Sequence, residues 1–177
     1  MSAGQPNDAE LVQAAQRDPS AFDALYRRWV APVYRFVLSR VGDVQDAEDV
    51  TSAVFGEALN GLSGYEEQGH FVAWLFTIAR RQVTGHRRRA RPEAEFDPRR
   101  AEVAVGPGGA AEREGEQIML GLAALDDISR DAIALRFLAD LPVKEVAAVL
   151  GKGESATKMT LHRALIKMRS ALEDYDG

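Results

Sequence analysis

The chain has 177 residues, of which 46% are hydrophobic and 28% charged, with a net charge of -5. This balance fits a globular protein of one ordinary domain or two small ones. It excludes a disulfide frame or thiolate metal site, because there is no cysteine, and it argues against a protein that coats nucleic acid by bulk charge alone.

No run of about eighteen apolar residues is present, so no membrane insertion of its own is expected. The first twenty residues lack the basic-then-apolar layout of a secretory signal, which with the absent cysteines points to the cytoplasm. His70, His86 and His162 lie far apart and in no metal-ligand spacing, so neither a metal nor another cofactor is expected. The charge is unevenly spread: Arg80, Arg81, His86, Arg87, Arg88, Arg89 and Arg91 crowd together, while Asp43, Asp46, Glu48 and Asp49 cluster elsewhere. A chain that is locally basic and globally acidic fits DNA contact that depends on a partner.

Apolar residues recur at spacings of three and four, and no alternating pattern lasts, so the expected fold class is all-α. Ser20, with Asp23 three residues on, predicts a helix start. Phe22, Leu25, Trp29, Val33 and Phe36 then share one face, with an interruption expected near Pro32. Asp43 and Asp46 open a second helix, whose stripe of Val44, Ala47, Val50, Val54, Ala58 and Leu59 turns Glu48, Asp49 and Glu57 towards solvent. Gly61, Gly64 and Gly69 break the chain, and a third helix opens near His70 with Phe71, Trp74, Leu75, Ile78 and Ala79 before turning basic.

Residues 91–116 carry Pro92, Pro98, Pro107 and a Gly-Gly pair with few large apolar groups, a composition expected of a flexible linker. Two small helical domains, 8–90 and 117–172, flank it. The second starts near Gln117 with Ile118, Leu122 and Leu125, and Asp127 or Ser129 caps a helix using Ile133, Leu135, Phe137 and Leu138. A short helix follows from Pro142, burying Val143, Val146, Ala147 and Leu150 and ending at Gly151. A longer basic helix from about Glu154 buries Leu161, Leu165 and Met168. Short helix, glycine turn and longer helix make a helix-turn-helix, with the small Ala147 where the two helices cross.

In such a motif the second helix enters the major groove with its N-terminal residues on base edges. Here these are Glu154, Ser155, Ala156, Thr157, Lys158 and Thr160, with His162 and Arg163 nearer the backbone. Cations neutralise phosphates, whereas hydroxyls and Glu discriminate bases. The basic helix around residues 80–91 follows an aromatic-rich stretch, a combination suited to single-stranded DNA, while Trp74 on spacing alone favours core packing. The acidic start at Asp46, Glu48 and Asp49 reads as a helix N-terminus favoured by the macrodipole, or an interface, before it reads as catalysis. No nucleophile–base pair, phosphate loop or metal set is found, so no enzyme is expected.

These residues resemble a known family. DAEDVTSAVF (46–55) resembles the acidic helix by which sigma factors hold the clamp helices of RNA polymerase's largest subunit. FVAWLFTIARRQVTGHRRR (71–89) resembles the part that melts and reads the minus-ten promoter element. LRFLADLPVKEVAAVLG with the following TKMTLHRAL resembles the domain that reads the minus-thirty-five element. Two helical domains joined by a linker, with no third between them, is the layout of the extracytoplasmic-function group.

The resemblance implies that Asp46, Glu48, Asp49, Val50 and Phe55 bind polymerase or support that surface. It implies that Trp74, Ile78, Arg80, Arg81, His86, Arg88 and Arg89 lie along the minus-ten path. It also implies, as partners, the polymerase core through its clamp helices and flap, promoter DNA, and an anti-sigma factor. Departures from the family pattern stand at Ser52 and Ala53 (usually Gln and an acidic residue), Arg81 (Asn), Gly85 (Asp), Gly153 (Ser), residues 155–157 (Gly-Thr-Val) and Thr160 (Arg). They leave the promoter open, along with the choice between altered specificity and weakened activity. The alternatives to a sigma factor are a stand-alone helix-turn-helix regulator and a sigma-mimicking adaptor.

Overall fold

The computed structural model describes residues 6–90 and 110–176, which contain eight α-helices and no strands. Most of the expected linker, residues 91–109, lies outside the described residues.

The N-terminal block is α1 (Asp8–Arg17), α2 (Phe22–Val41), α3 (Val44–Gly61) and α4 (Phe71–Ala90). Helix α1, which the hydrophobic spacing did not reveal, begins in a complete capping box. The Asn7 side chain accepts from the Glu10 amide at 3.0 Å, and the Glu10 carboxylate accepts from the Asn7 amide at 2.9 Å. The indole of Trp29 and the guanidinium of Arg28 both donate to Asp8, seating α1 on α2.

The start expected at Ser20 lies elsewhere. Asp18 accepts from the Ser20 amide and, with Pro19 supplying a preset φ, opens a 3₁₀ turn (Pro19–Ala21), after which α2 starts at Phe22 without a side-chain cap. Pro32 does not interrupt α2. The helix runs through it, held to the core on either side by Leu25 and by Val33 and Phe36, all 0% exposed. Gly42, in the left-handed region at φ 78°, closes α2, and Asp43 caps α3 by accepting from the Asp46 amide, as its position predicts. Phe36 and Phe76 meet edge to face at 5.9 Å and anchor a core shared by α2, α3 and α4.

The second block is α5 (Ala110–Ala123), α6 (Asp127–Ile133), α7 (Val143–Leu150) and α8 (Glu154–Asp176). Residues 110–116 of the expected linker are helical. The cap of α6 is Asp126, whose carboxylate accepts from the Ser129 amide, rather than Asp127 or Ser129. A π-helical turn (Ala134–Leu138) continues α6, and its altered register leaves Phe137 52% exposed instead of in the expected apolar face. Pro142 caps α7, and Gly151 at φ 64° ends it. Gly121 lets α5 lie against α8, where an added Cβ would meet Met168.

The two blocks pack together. Helix α4 lies against α7 and α2 against the π-helical turn, so one buried apolar cluster runs through both.

Candidate nucleic-acid interface

Val146, Ala147 and Val149 of α7 and Leu161 and Ala164 of α8 are buried against their surroundings, which fixes the outward face of α8. At its N-terminus Glu154, Ser155, Ala156 and Lys158 are exposed, and His162 and Arg163 follow on the outside. Thr157 differs from the other expected base readers. It is 0% exposed, and its hydroxyl donates to the Gly153 carbonyl at 3.0 Å, tying the helix to the turn before it. Thr160 is half-buried with its hydroxyl on the Ala156 carbonyl. The exposed set leaves two cations, a carboxylate and a hydroxyl for a groove.

Helix α4 presents a different surface. Ile78 is buried at 5% exposure and belongs to the core, while Trp74 is half-buried against Tyr65 and Phe71, with ring centroids 4.7 and 5.9 Å away. Burial pushes the Tyr65 phenol up, with the charges of Glu67 and Glu145 adding to it. Beyond the aromatics a basic cleft of about 350 Å³ is lined by Thr77, Arg80, Arg81, Thr84, Gly85 and Arg88. Arg88 and Arg89 are exposed; Arg81 pairs with Glu57, and His86 lies 3.2 Å from Asp46.

The acidic face divides into contact and support. Glu48 and Asp49 are exposed and Asp46 is half-buried, whereas Val50 and Phe55 are each 5% exposed and hold α3 in place. Tyr26, 42% exposed, packs edge to face on Phe55 at 4.9 Å.

Sequence reasoning missed the ionic cluster between the blocks. Arg40, 3% exposed on α2, donates through Nε to Asp131 Oδ1 at 2.8 Å, and Arg80 on α4 donates to Asp131 Oδ2 at 2.6 Å. Asp127, one turn earlier on α6, accepts from Arg40 at 3.2 Å and from Arg87 at 3.1 Å. Burial works to raise the Asp127 carboxyl, but the bonds from Arg87 and Arg40 outweigh it and hold the group below its ordinary range. Arg130 is brought down to about 10 by burial, with Arg40's charge acting the same way. The available signal was Arg40's register: it stands in step with Val33, Phe36 and Val37, where an apolar residue belongs.

Among the described residues no group of His, Asp and Glu is arranged to hold a metal ion, and no helix is long and apolar enough to cross a membrane. Fold and surface together define a two-block helical protein, with a helix-turn-helix at one end and a basic helix flanked by aromatics at the other.

Comparison with known proteins places that class. Residues 25–93 match the Sigma-70 region 2 model and residues 121–170 the Sigma-70, region 4 model. The chain is 37% identical over 180 residues to the ECF RNA polymerase sigma factor BldN of Streptomyces coelicolor, covering 93% of this chain but only 66% of that protein. It is 28% identical to the ECF RNA polymerase sigma factor SigK of Mycobacterium tuberculosis, covering 94% of this chain and 93% of the relative. Among solved structures, CnrH in complex with the cytosolic domain of CnrY superposes with a TM-score of 0.75 at 27% identity, covering 96% of this chain and 99% of that one. The sigma factor RpoE of Bartonella quintana, solved with the anti-sigma factor NepR, shares the fold with a TM-score of 0.69 at 20% identity, covering 86% and 96% of the two chains. The chain belongs to the sigma-70 family, in its extracytoplasmic-function group.

Proposed function

We propose that this chain is a promoter-specificity subunit, without catalysis of its own, that carries RNA polymerase core to a set of promoters. The observation that supports this most directly is the joint presence of three surfaces on one chain. An exposed acidic helix face (Glu48, Asp49) is free for a protein partner, a basic cleft on α4 is suited to an unpaired strand, and α8 presents Glu154, Ser155 and Lys158 to a groove.

In this reading α3 docks on the clamp helices of the largest subunit, with Val50 and Phe55 as its support. The minus-ten strand follows α4 past Arg81, Arg88 and Arg89, with Trp74 at its edge, and α8 reads the minus-thirty-five duplex. Asp46 on α3 lies 3.2 Å from His86 on α4, so the polymerase and strand surfaces stand side by side. Residues 91–109 connect the two domains. An anti-sigma factor holding both blocks together fits the closed packing of α4 on α7, and a bacterial cytoplasm is the setting this assigns.

Run-off transcription tests the proposal, using purified polymerase core and this protein on fragmented genomic DNA. Discrete transcripts that vanish with Asp49→Lys are expected. Absence of both core binding and transcripts would overturn the reading in favour of a stand-alone regulator. Core binding without transcripts would favour a sigma-mimicking adaptor.

A further inference from the structure

Two carboxylates one helical turn apart on α6 face two arginines two turns apart on α4. Asp131 takes Arg80 at 2.6 Å and Asp127 takes Arg87 at 3.1 Å, while Arg40 bonds to both from α2. Carboxylate oxygens and phosphate oxygens satisfy the guanidinium fork in the same way. Side chains four apart on a helix stand about 5–6 Å from one another on one face, so both carboxylates face α4 together. We infer that α6 is an internal phosphate mimic: Asp127 and Asp131 occupy Arg80 and Arg87 in place of a DNA strand, so closure of the blocks withholds two cations of α4 and weakens strand binding there. This inference rests on the reading of α4 as a single-strand surface.

The rest of the interface supports an all-or-none device. Arg35 donates to the Leu138 carbonyl at 2.6 Å, and α7 lies along α4, so Arg80 is not released without moving the second block. One terminal nitrogen of Arg40 is buried with no hydrogen-bond partner among the described residues, and Arg40 and Asp131 are each under 5% exposed. Within the shared apolar contact the seam therefore holds a polar, imperfectly satisfied cluster, and that cluster suits a contact made and broken in function. Glu48 and Asp49 stay exposed in the closed form, so a protein partner reaches α3 before Arg80 and Arg87 are released.

The chain has no cysteine, so Ser52→Cys and Ser170→Cys place a donor and an acceptor dye on exposed positions of the two blocks. Energy transfer and the affinity for a short fluorescein-labelled single DNA strand are then measured in the full chain, alone and with Asp127→Asn, Asp131→Asn or both. Asp127 has a side chain 66% exposed, so its variant folds even where the buried Asp131→Asn does not. Lower transfer with about tenfold tighter strand binding is expected, the gain when a state open about a tenth of the time becomes the major one. Unchanged transfer would overturn the latch. Lower transfer with unchanged affinity, while Arg88→Glu still weakens binding, would overturn the mimicry and leave α4 as the strand surface. Failure of every variant to bind the strand, with Arg88→Glu indifferent, would overturn the reading of α4 and the mimicry with it.

Discussion

Thr157 and Gly153 are joined across the first turn of α8, the threonine hydroxyl donating to the glycine carbonyl at 3.0 Å from a fully buried position. The bond points the threonine into the helix-turn-helix and leaves Ser155, Ala156 and Lys158 outside.

Substitution therefore separates architecture from reading. Thr157→Val keeps the shape and removes one hydrogen bond, so a loss of about 1 kcal/mol of stability is expected with promoter preference unchanged. Lys158→Ala should leave stability alone and lower the salt dependence of duplex binding by about one unit of slope. Denaturant titration and binding at several salt concentrations measure both. A changed promoter preference in Thr157→Val would return that residue to the base-reading set.

Arg130 holds the end of α5 on α6. Its guanidinium donates to the Leu122 carbonyl at 2.8 Å and the Leu125 carbonyl at 2.6 Å, and the residue is 6% exposed. The Leu122 carbonyl, in the last turn of α5, also accepts from the Leu125 amide at 3.2 Å, and Leu125 lies in the turn just beyond the helix. Arg130→Met keeps the apolar stem and removes the donors, for an expected loss of about 2–4 kcal/mol in chemical denaturation. A loss below about 0.5 kcal/mol would show that water serves those carbonyls equally well.

The cap of α6 gives the stability a pH dependence of known sign. The Ser129 amide, opposed by burial, holds the Asp126 carboxyl below its ordinary range. A depressed folded-state pKa contributes stability that is complete above the unfolded value of about 3.9 and is lost as pH falls through the lower folded value. Asp126→Asn keeps a capping oxygen that does not titrate, so it should match the parent near neutral pH and lose less stability on acidification. Asp126→Ala should cost about 1 kcal/mol at neutral pH. Thermal melts across the acid range distinguish the three proteins, and parallel profiles for parent and Asp126→Asn would refute the assignment.

Gly151 ends α7 with φ at 64°, a conformation that costs a side-chain-bearing residue about 1–2 kcal/mol. No atom lies within 4 Å of a Cβ added there, so the strain of Gly151→Ala is conformational rather than steric. A loss of about 1 kcal/mol in stability, with duplex affinity per folded molecule unchanged, is expected from paired melting and binding measurements.

What was legible in the chain follows from how far each interaction reaches. Asp43 as a cap, Gly151 as a stop and the α7–α8 pair depend on neighbours within a few residues, and local chemistry specifies them. Pro32 inside α2 misled because tertiary burial of Leu25, Val33 and Phe36 outweighs one lost backbone bond. The π-helical turn that exposes Phe137, and the burial of Thr157, depend on which face packing selects, whereas Ile78 is buried as its place in the apolar spacing of α4 implies. Arg40 and Asp131, 91 residues apart, meet only once both blocks exist, and no spacing rule brings them together.

Arg81 stands where the family pattern has Asn, and its partner is Glu57 on α3. The arginine side chain is 66% exposed and Glu57 keeps a second bond, from Gln82 at 2.6 Å. An exposed pair of this kind contributes at most about 1 kcal/mol, so Arg81→Asn should hardly move the melting transition. The residue also lines the basic cleft, where its charge lies beside that of Arg88. Weaker binding of a single strand is therefore expected, with the salt slope reduced by slightly less than one. Unchanged strand binding with a stability loss above about 2 kcal/mol would assign Arg81 to the α3–α4 contact instead of the DNA path.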